Sequence, residues 1–242
     1  MKKYNISNMS FIETFNKMFN GKGLLILCCT LSDIMMAESD SEVYNAMKHA
    51  DILTPDGMPL VWWLKYKTGK SERVYGPDLL KKFLTSNFQF PIKQLFVGDE
   101  KNKKYFKKYG NYVVLPIKDV FDKNDIDFLV KKIEKYKSKI VWVGLGSRKQ
   151  IIVADQLKKR LPNLVYVTVG AAFDFLSGNK KQAPIWMQQS GLEWLFRLMS
   201  EPRRLGKRYF KIIIFVISTL LFHNKFIESI LFTNTGSPGT KK

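Results

Sequence analysis

The chain has 242 residues, 45% of them apolar, which is enough to bury a core of domain size and excludes wholesale disorder. Its 40 Lys and Arg against 21 Asp and Glu give a formal charge of +19, a surplus that calls for a polyanionic partner: nucleic acid, anionic lipid or a phosphorylated substrate. The two histidines, His49 and His223, lie far apart in sequence, so neither a Ser-His-Asp arrangement nor a histidine-based metal site is supported.

From the start, Met1-Lys2-Lys3-Tyr4-Asn5 is not followed by the apolar stretch of a signal peptide, and no segment reaches the roughly 20 apolar residues that span a bilayer. Export and membrane spanning are therefore disfavoured. Cys28 and Cys29 are adjacent in the run Leu24–Thr30, where consecutive strand side chains point to opposite faces. They are expected to be unpaired core residues in a reducing compartment, which places the chain in the cytoplasm. Strands are expected at Leu24–Thr30, Ile52–Thr54, Gln94–Gly98, Lys139–Gly144 and Leu164–Val169. Helices are expected at about Ser41–Ala50, Pro59–Tyr66, Pro77–Ser86, Asn102–Lys108, Asn124–Lys137 and Arg148–Arg160. Alternation of this kind predicts an α/β fold with a Rossmann-like, mainly parallel sheet flanked by helices.

Ligands of open α/β sheets sit outside the carboxyl ends of the strands, where four segments of this chain fall. In Thr54-Pro55-Asp56-Gly57-Met58-Pro59, Pro59 suits a helix start and Gly57 permits an unusual backbone angle, so Asp56 is held in a tight strand-to-helix turn. It is a candidate general base; the plainer reading is a turn or cap residue. In Glu72-Arg73-Val74-Tyr75-Gly76-Pro77, Arg73 precedes a helix start, where a bidentate cation and exposed N–H groups make a phosphate site. In Gly144-Leu145-Gly146-Ser147, Lys149 occupies the third-glycine position of a dinucleotide fingerprint, which disfavours a nicotinamide enzyme. That loop still offers backbone donors, Ser147 and Gln150. In Val169-Gly170-Ala171-Ala172-Phe173-Asp174, small residues allow close approach, and Asp174 can either bond a sugar hydroxyl or cap the next helix. Asp40-Ser41-Glu42 falls at a helix cap, and there is no Walker-type loop.

Composition changes after about Gly191. Arg197, Arg203, Arg204, Lys207, Arg208 and Lys211 precede the apolar run Ile212–Phe222, and the tail Thr233–Lys242 is polar and expected to fray. Two domains are expected: a catalytic domain over 1–190 and a C-terminal appendage over 191–242. In one continuous helix Arg197, Arg204, Arg208 and Lys211 would share a face. A basic helix leading into an apolar run too short to cross suits an anionic membrane surface, held peripherally at its interface.

These segments, in this order, resemble the WecG/TagA/CpsF family of glycosyltransferases. The likeness rests on Thr54–Trp62, Glu72–Leu79, Gly144–Ser147 with Gln150, Val169–Gly178, Ala183–Met187, Gly191–Leu198 and Glu201–Leu205. It implies inverting transfer from a UDP-sugar, with no metal ion or other cofactor. The implied acceptor is an undecaprenyl-diphosphate-linked sugar, the implied donor of the N-acetylmannosamine type or another hexose. Its products feed teichoic acid, capsule or exopolysaccharide. By this resemblance Asp56 is the general base, and Thr30, Ser32, Arg73, Gly144, Gly146, Gln150 and Asp174 bind substrate. Two positions depart from the family pattern: Ser32 stands in place of the usual Asn, and Ile151 in place of the usual Glu. The implied location is the cytoplasmic face of the plasma membrane, and a homo-oligomer is compatible with it. The rival readings are a nonenzymatic membrane-surface protein and a basic nucleic-acid-binding protein. The basic cluster leads into an apolar run rather than along an aromatic-lined groove, which speaks against nucleic acid as the partner.

Overall fold

The structure, a computed structural model, describes residues 2–70, 72–86, 92–116, 118, 120–222 and 230–233. The apolar run at residues 24–29 becomes strand β2 (Leu24–Cys29), preceded by β1 (Tyr4–Ser7) and α1 (Phe11–Asn20). Then follow α2 (Leu31–Ser39), α3 (Ser41–His49), β3 (Ile52–Pro55), α4 (Met58–Thr68), α5 (Gly76–Ser86), β4 (Gln94–Gly98), α6 (Glu100–Phe106) and β5 (Asn111–Val114). The chain continues through α7 (Lys123–Tyr136), β6 (Ile140–Gly144), α8 (Ser147–Arg160), β7 (Val165–Thr168), α9 (Ala172–Leu176), α10 (Ile185–Gln189), α11 (Glu193–Ser200), α12 (Pro202–Phe222) and β8 (Ile230–Thr233). Every expected strand and helix is present, with ends moved by no more than two residues. β1, α1, α2, β5, β8 and the helices α9 to α12 are additional to those ranges.

The strands form one sheet of order β5-β4-β6-β7-β2-β3-β1-β8, and each neighbouring pair is parallel. Parallel strands buried on both faces need apolar residues at every position. In β2, Leu25, Leu27 and Cys29 face a core formed with α2, α3, α7 and α8. Ile26 and Cys28 face a second core formed with α1, α5 and α9. The result is three layers, helix on sheet on helix. Both cysteines are free and buried, as expected, and burial pushes both thiols up.

The residues from 191 onward are not set apart from this body. β8 pairs with β1, from Tyr4 opposite Ile230 to Ser7 opposite Thr233, and α12 packs on α2. Among the described residues no helix is long and apolar enough to cross a membrane. His223 and the tail from residue 234 lie outside the described residues.

One packing feature shapes the ligand-facing edge. Gly98 at the end of β4 lies in register with Gly144 at the end of β6, and the Phe173 ring fills the hollow that the two glycines leave. A Cβ at Gly144 would stand 2.5 Å from that ring, and one at Gly98 would stand 2.8 Å from it and 2.5 Å from the Tyr112 hydroxyl. Gly144→Ala is therefore expected to destabilise the fold by about 1–3 kcal/mol through overpacking, read as a lower denaturant midpoint at unchanged slope.

Candidate functional site

A cavity of about 590 Å³ opens where the four middle strands β6, β7, β2 and β3 reach their carboxyl ends, within the range of small-ligand sites. Helices α2, after Thr30, α4, after Gly57, and α8, after Gly146, are among those that begin on its wall. Their unpaired N–H groups and dipoles bias the space toward anions. The cavity brings together every residue expected to act in catalysis or substrate binding: Asp56, Thr30, Ser32, Arg73, Gly144, Gly146, Gln150 and Asp174.

Asp56 is fixed by the backbone on both sides of its turn. Its N–H donates to the Cys29 carbonyl at 3.0 Å, and the Gly76 N–H donates to its Oδ2 at 3.0 Å. Gly57 adopts φ −87°, an angle open to any residue, so the expected need for an unusual backbone there is not met. Burial pushes the Asp56 carboxyl up to about 6, against the opposing pull of the Arg73 guanidinium and the Gly76 N–H. Arg73 Nε donates to the Asp56 carbonyl at 2.5 Å, but its Nη2 lies 3.7 Å from Asp56 Oδ1. The stronger bond of Nη2 goes to Glu193 Oε2 at 2.6 Å, and the guanidinium carbon stacks 3.9 Å over the Tyr75 ring. Glu193 Oε1 accepts the Tyr75 hydroxyl at 2.9 Å and Arg197 Nη2 at 2.7 Å. Burial alone would raise the Glu193 carboxyl, but Arg197 and then Arg73 outweigh it and hold it below the usual carboxylate range.

The other expected residues divide by what their polar atoms already do. Asp33, buried on the cavity wall, accepts the Thr30 N–H at 2.8 Å, the Thr30 hydroxyl at 2.7 Å and the Ser147 hydroxyl. It thereby ties the start of α2 to the start of α8. Gln150 is buried and accepts the Gly170 N–H at 2.9 Å, bracing the loop after β7. Asp174 is committed to protein partners, Asn102 Nδ2 at 3.0 Å and Lys101 Nζ at 2.9 Å, with Lys180 Nζ at 3.5 Å. Burial would raise its carboxyl, but these partners hold it below its usual range. It presents two lysines at the cavity rather than a vacant acceptor. Gly144 borders the cavity, but its missing side chain is filled by Phe173.

The basic cluster does not form the single face expected of it. Arg197 lies on α11, one helix earlier than the rest, and is spent on Glu193. Arg204 and Arg208, on α12, turn to the cavity. Arg204 bonds Glu201 at 2.5 and 2.8 Å, and Arg208 Nε donates to the Ser32 hydroxyl at 2.9 Å. Arg203, Lys207 and Lys211 are exposed on α12. A wall of the site therefore comes from the segment expected to be a separate appendage. Glu193, Tyr75 and Asp33 were not singled out from sequence. Glu193 and Arg197, four apart, read as an ordinary surface helix pair, and Thr30 and Asp33 as a cap spacing.

The family described as "Glycosyl transferase WecG/TagA/CpsF family" matches residues 2–228 of the 242. The chain belongs to this family, and membership makes it a glycosyltransferase of cell-surface polysaccharide synthesis.

The raised Asp56 carboxyl carries a consequence for stability. A folded-state value near 6 against an ordinary value of 3.8 means that the folded form holds this proton more tightly than the unfolded form does. The group's contribution is most favourable below the unfolded value and is lost as pH rises toward about 6. Above that the ionised carboxylate costs on the order of 1–3 kcal/mol. Asp56→Asn, which keeps an acceptor for the Gly76 N–H, is expected to raise Tm at pH 8 and to leave it nearly unchanged at pH 4. A Tm lowered at pH 8 would contradict the assignment of strain to this carboxylate.

Proposed function

We propose that the protein moves a sugar, with inversion and without a metal ion, from a UDP-sugar to a polyisoprenoid-diphosphate-linked acceptor at the cytoplasmic face of the plasma membrane. The observation that carries this reading is a buried, proton-seeking carboxylate in a cavity whose other wall is rich in guanidinium groups. Family membership supplies the reaction class. In the transfer, the acceptor hydroxyl oxygen bonds to the anomeric carbon as the bond to the UDP oxygen breaks, and the electron pair leaves with UDP. The hydroxyl proton passes to Asp56 Oδ1, which accepts no hydrogen bond among the described residues. General base catalysis of this kind is worth ~10²–10⁴ in rate. The charge that gathers on the leaving diphosphate meets Arg204, Arg208 and the starts of α2 and α8. Lys101 and Lys180, held by Asp174, extend this basic wall.

The membrane reading is supported by the outer side of α12. Arg203, Lys207, Phe210 and Ile214 are exposed and spaced four, three and four apart, so two cations and two apolar side chains form one outward stripe. Such a stripe suits the interface of an anionic bilayer, and the cavity lies on the opposite side of the same helix. Ser32, where the resemblance leads one to expect Asn, accepts Arg208 Nε and has fewer hydrogen-bonding sites left for the donor. A homo-oligomer stays compatible with this arrangement.

Two outcomes are expected. Asp56→Asn should lower kcat by about 10²–10⁴ with the affinity for UDP-sugar retained, measured by disaccharide formation on a lipid-diphosphate-sugar analogue and by calorimetry. The wild-type rate should fall as pH drops through about 6, where Asp56 gains its proton, and the variant should lack that limb. Separately, Arg203→Glu combined with Lys207→Glu should reduce cosedimentation with phosphatidylglycerol vesicles by about 10-fold or more while sparing turnover of a short-chain acceptor. Full vesicle binding by the double variant would remove the outward stripe from the account.

A further inference from the structure

Glu193 is buried close to Asp56, and neither hydroxyl activation nor diphosphate binding accounts for it. Both of its oxygens are engaged: Oε2 by Arg73 at 2.6 Å, Oε1 by Arg197 at 2.7 Å and Tyr75 at 2.9 Å. An arginine beside a carboxylate frequently forms a bidentate pair, two parallel N–H···O bonds. Arg73 is denied that geometry with Asp56. Its Nε is taken by the Asp56 backbone carbonyl, and its Nη2 is drawn to Glu193, leaving 3.7 Å to Asp56 Oδ1. The Asp56 carboxylate thus has a cation close by, yet among the described residues only the Gly76 N–H is bonded to it.

We propose that Glu193 is a positioning residue for the base. By holding the Arg73 and Arg197 guanidinium groups on its own oxygens, it leaves Asp56 Oδ1 open to the acceptor hydroxyl instead of closed in an arginine fork. The proposal rests on Asp56 being the base. It also gives α11 a role in the reaction, because the base is correctly set only when α11 is docked against the segment ahead of α5.

Other groups around Asp56 fit this assignment. Cys28, from β2, is a buried neutral thiol whose proton is held more tightly first by burial and then by the nearby Asp56. Tyr75, ahead of α5, is also held neutral, first by burial and then by Glu193. Asp78 on α5 is exposed. Asp33 on α2 is spent on Thr30 and Ser147, and Arg204 and Arg208 on α12 on Glu201 and Ser32. The charges left to act on Asp56 are Arg73 and Arg197, which favour its ionised form, and Glu193, which opposes it.

The test is the pH dependence of kcat in the full-length enzyme with UDP-sugar and the lipid-diphosphate-sugar analogue. Glu193→Gln keeps the side-chain shape and removes the charge, so the acidic limb should move down by roughly 0.5–1 pH unit. At pH 8 kcat should drop about 10-fold or more, because an arginine-paired Asp56 is a weaker base. Arg197→Gln removes a cation from the same network and should move the limb the other way, to higher pH. Tyr75→Phe removes a neutral hydrogen bond to Glu193 and should leave the limb in place. Opposite shifts in the two charge variants would uphold the assignment, since general loosening of the site moves no limb in opposite directions. Rates lowered equally at every pH, or a limb displaced as far by Tyr75→Phe, would overturn it. If Glu193→Gln does not fold, Arg197→Gln still decides, and an unmoved limb there defeats the proposal. A wild-type profile with no acidic limb near pH 6 would count against Asp56 as the base, whereas a wild-type limb that neither charge variant moves counts against Glu193 alone.

Discussion

A carboxylate taken out of water among cations is the constraint from which the site follows. Desolvation alone would keep Asp56 protonated at neutral pH, and a full arginine fork would leave it ionised but inert. The structure lies between these limits. Burial pushes the carboxyl up to about 6, and the cations that would pull it back are shared with a second carboxylate, Glu193. Ordering these side chains requires three separate stretches of chain, and the backbone supplies the frame. The Asp56 N–H is tied to Cys29, the Val74 N–H donates to the Pro55 carbonyl at 3.1 Å, and the Gly76 N–H reaches Asp56 Oδ2. The end of β3 and the start of α5 are thereby stitched together by backbone bonds and by the Asp56 carboxylate itself.

The sheet was legible in the sequence because parallel strands buried on both faces must be apolar at every position, and runs such as 24–29 and 140–144 are conspicuous. β1 and β8 were not legible for the converse reason. Tyr4–Ser7 is a four-residue strand of mixed polarity whose identity depends on pairing with residues 230–233, and no local pattern encodes a partner that distant. α2 was missed because Met35, Met36 and Ala37 blur the polar and apolar faces, although Thr30 and Asp33 carry the spacing of a cap.

The site was legible as a set of strand-end loops, since turn chemistry at Asp56–Pro59 and Gly144–Ser147 is local. What those loops do with their polar atoms was not. Asp174 looked like an available acceptor and is committed to Asn102 and Lys101. Gly144 looked like a ligand-facing glycine, and its space belongs to Phe173. Glu193 was not singled out at all and is buried between two arginines, one of them from the distant Arg73 turn. In each case the deciding partner lies more than 25 residues away or on another element, beyond the reach of spacing arguments.

The C-terminal helices show most sharply how composition and geometry differ. As composition, residues 197–211 are a block of positive charge ahead of an apolar run. In space the block divides. Arg197 goes to Glu193, Arg204 and Arg208 face the cavity, and Arg203 and Lys207 face outward beside Phe210 and Ile214. On the proposed reading, this division lets one helix address both ends of an amphipathic substrate, with guanidinium groups toward the diphosphate and an apolar stripe toward the lipid. The magnitudes are consistent with a reversible attachment. Two outward cations at about 1 kcal/mol each, with two partly inserted apolar side chains, give a peripheral contact far weaker than insertion of a spanning helix. On the same proposed reading, an enzyme that releases one lipid-linked product and takes up another substrate gains from that weakness. The same helix that lines the cavity can then leave the surface without the fold coming apart, because α11 is tied to Arg73 ahead of α5 and β8 is paired with β1.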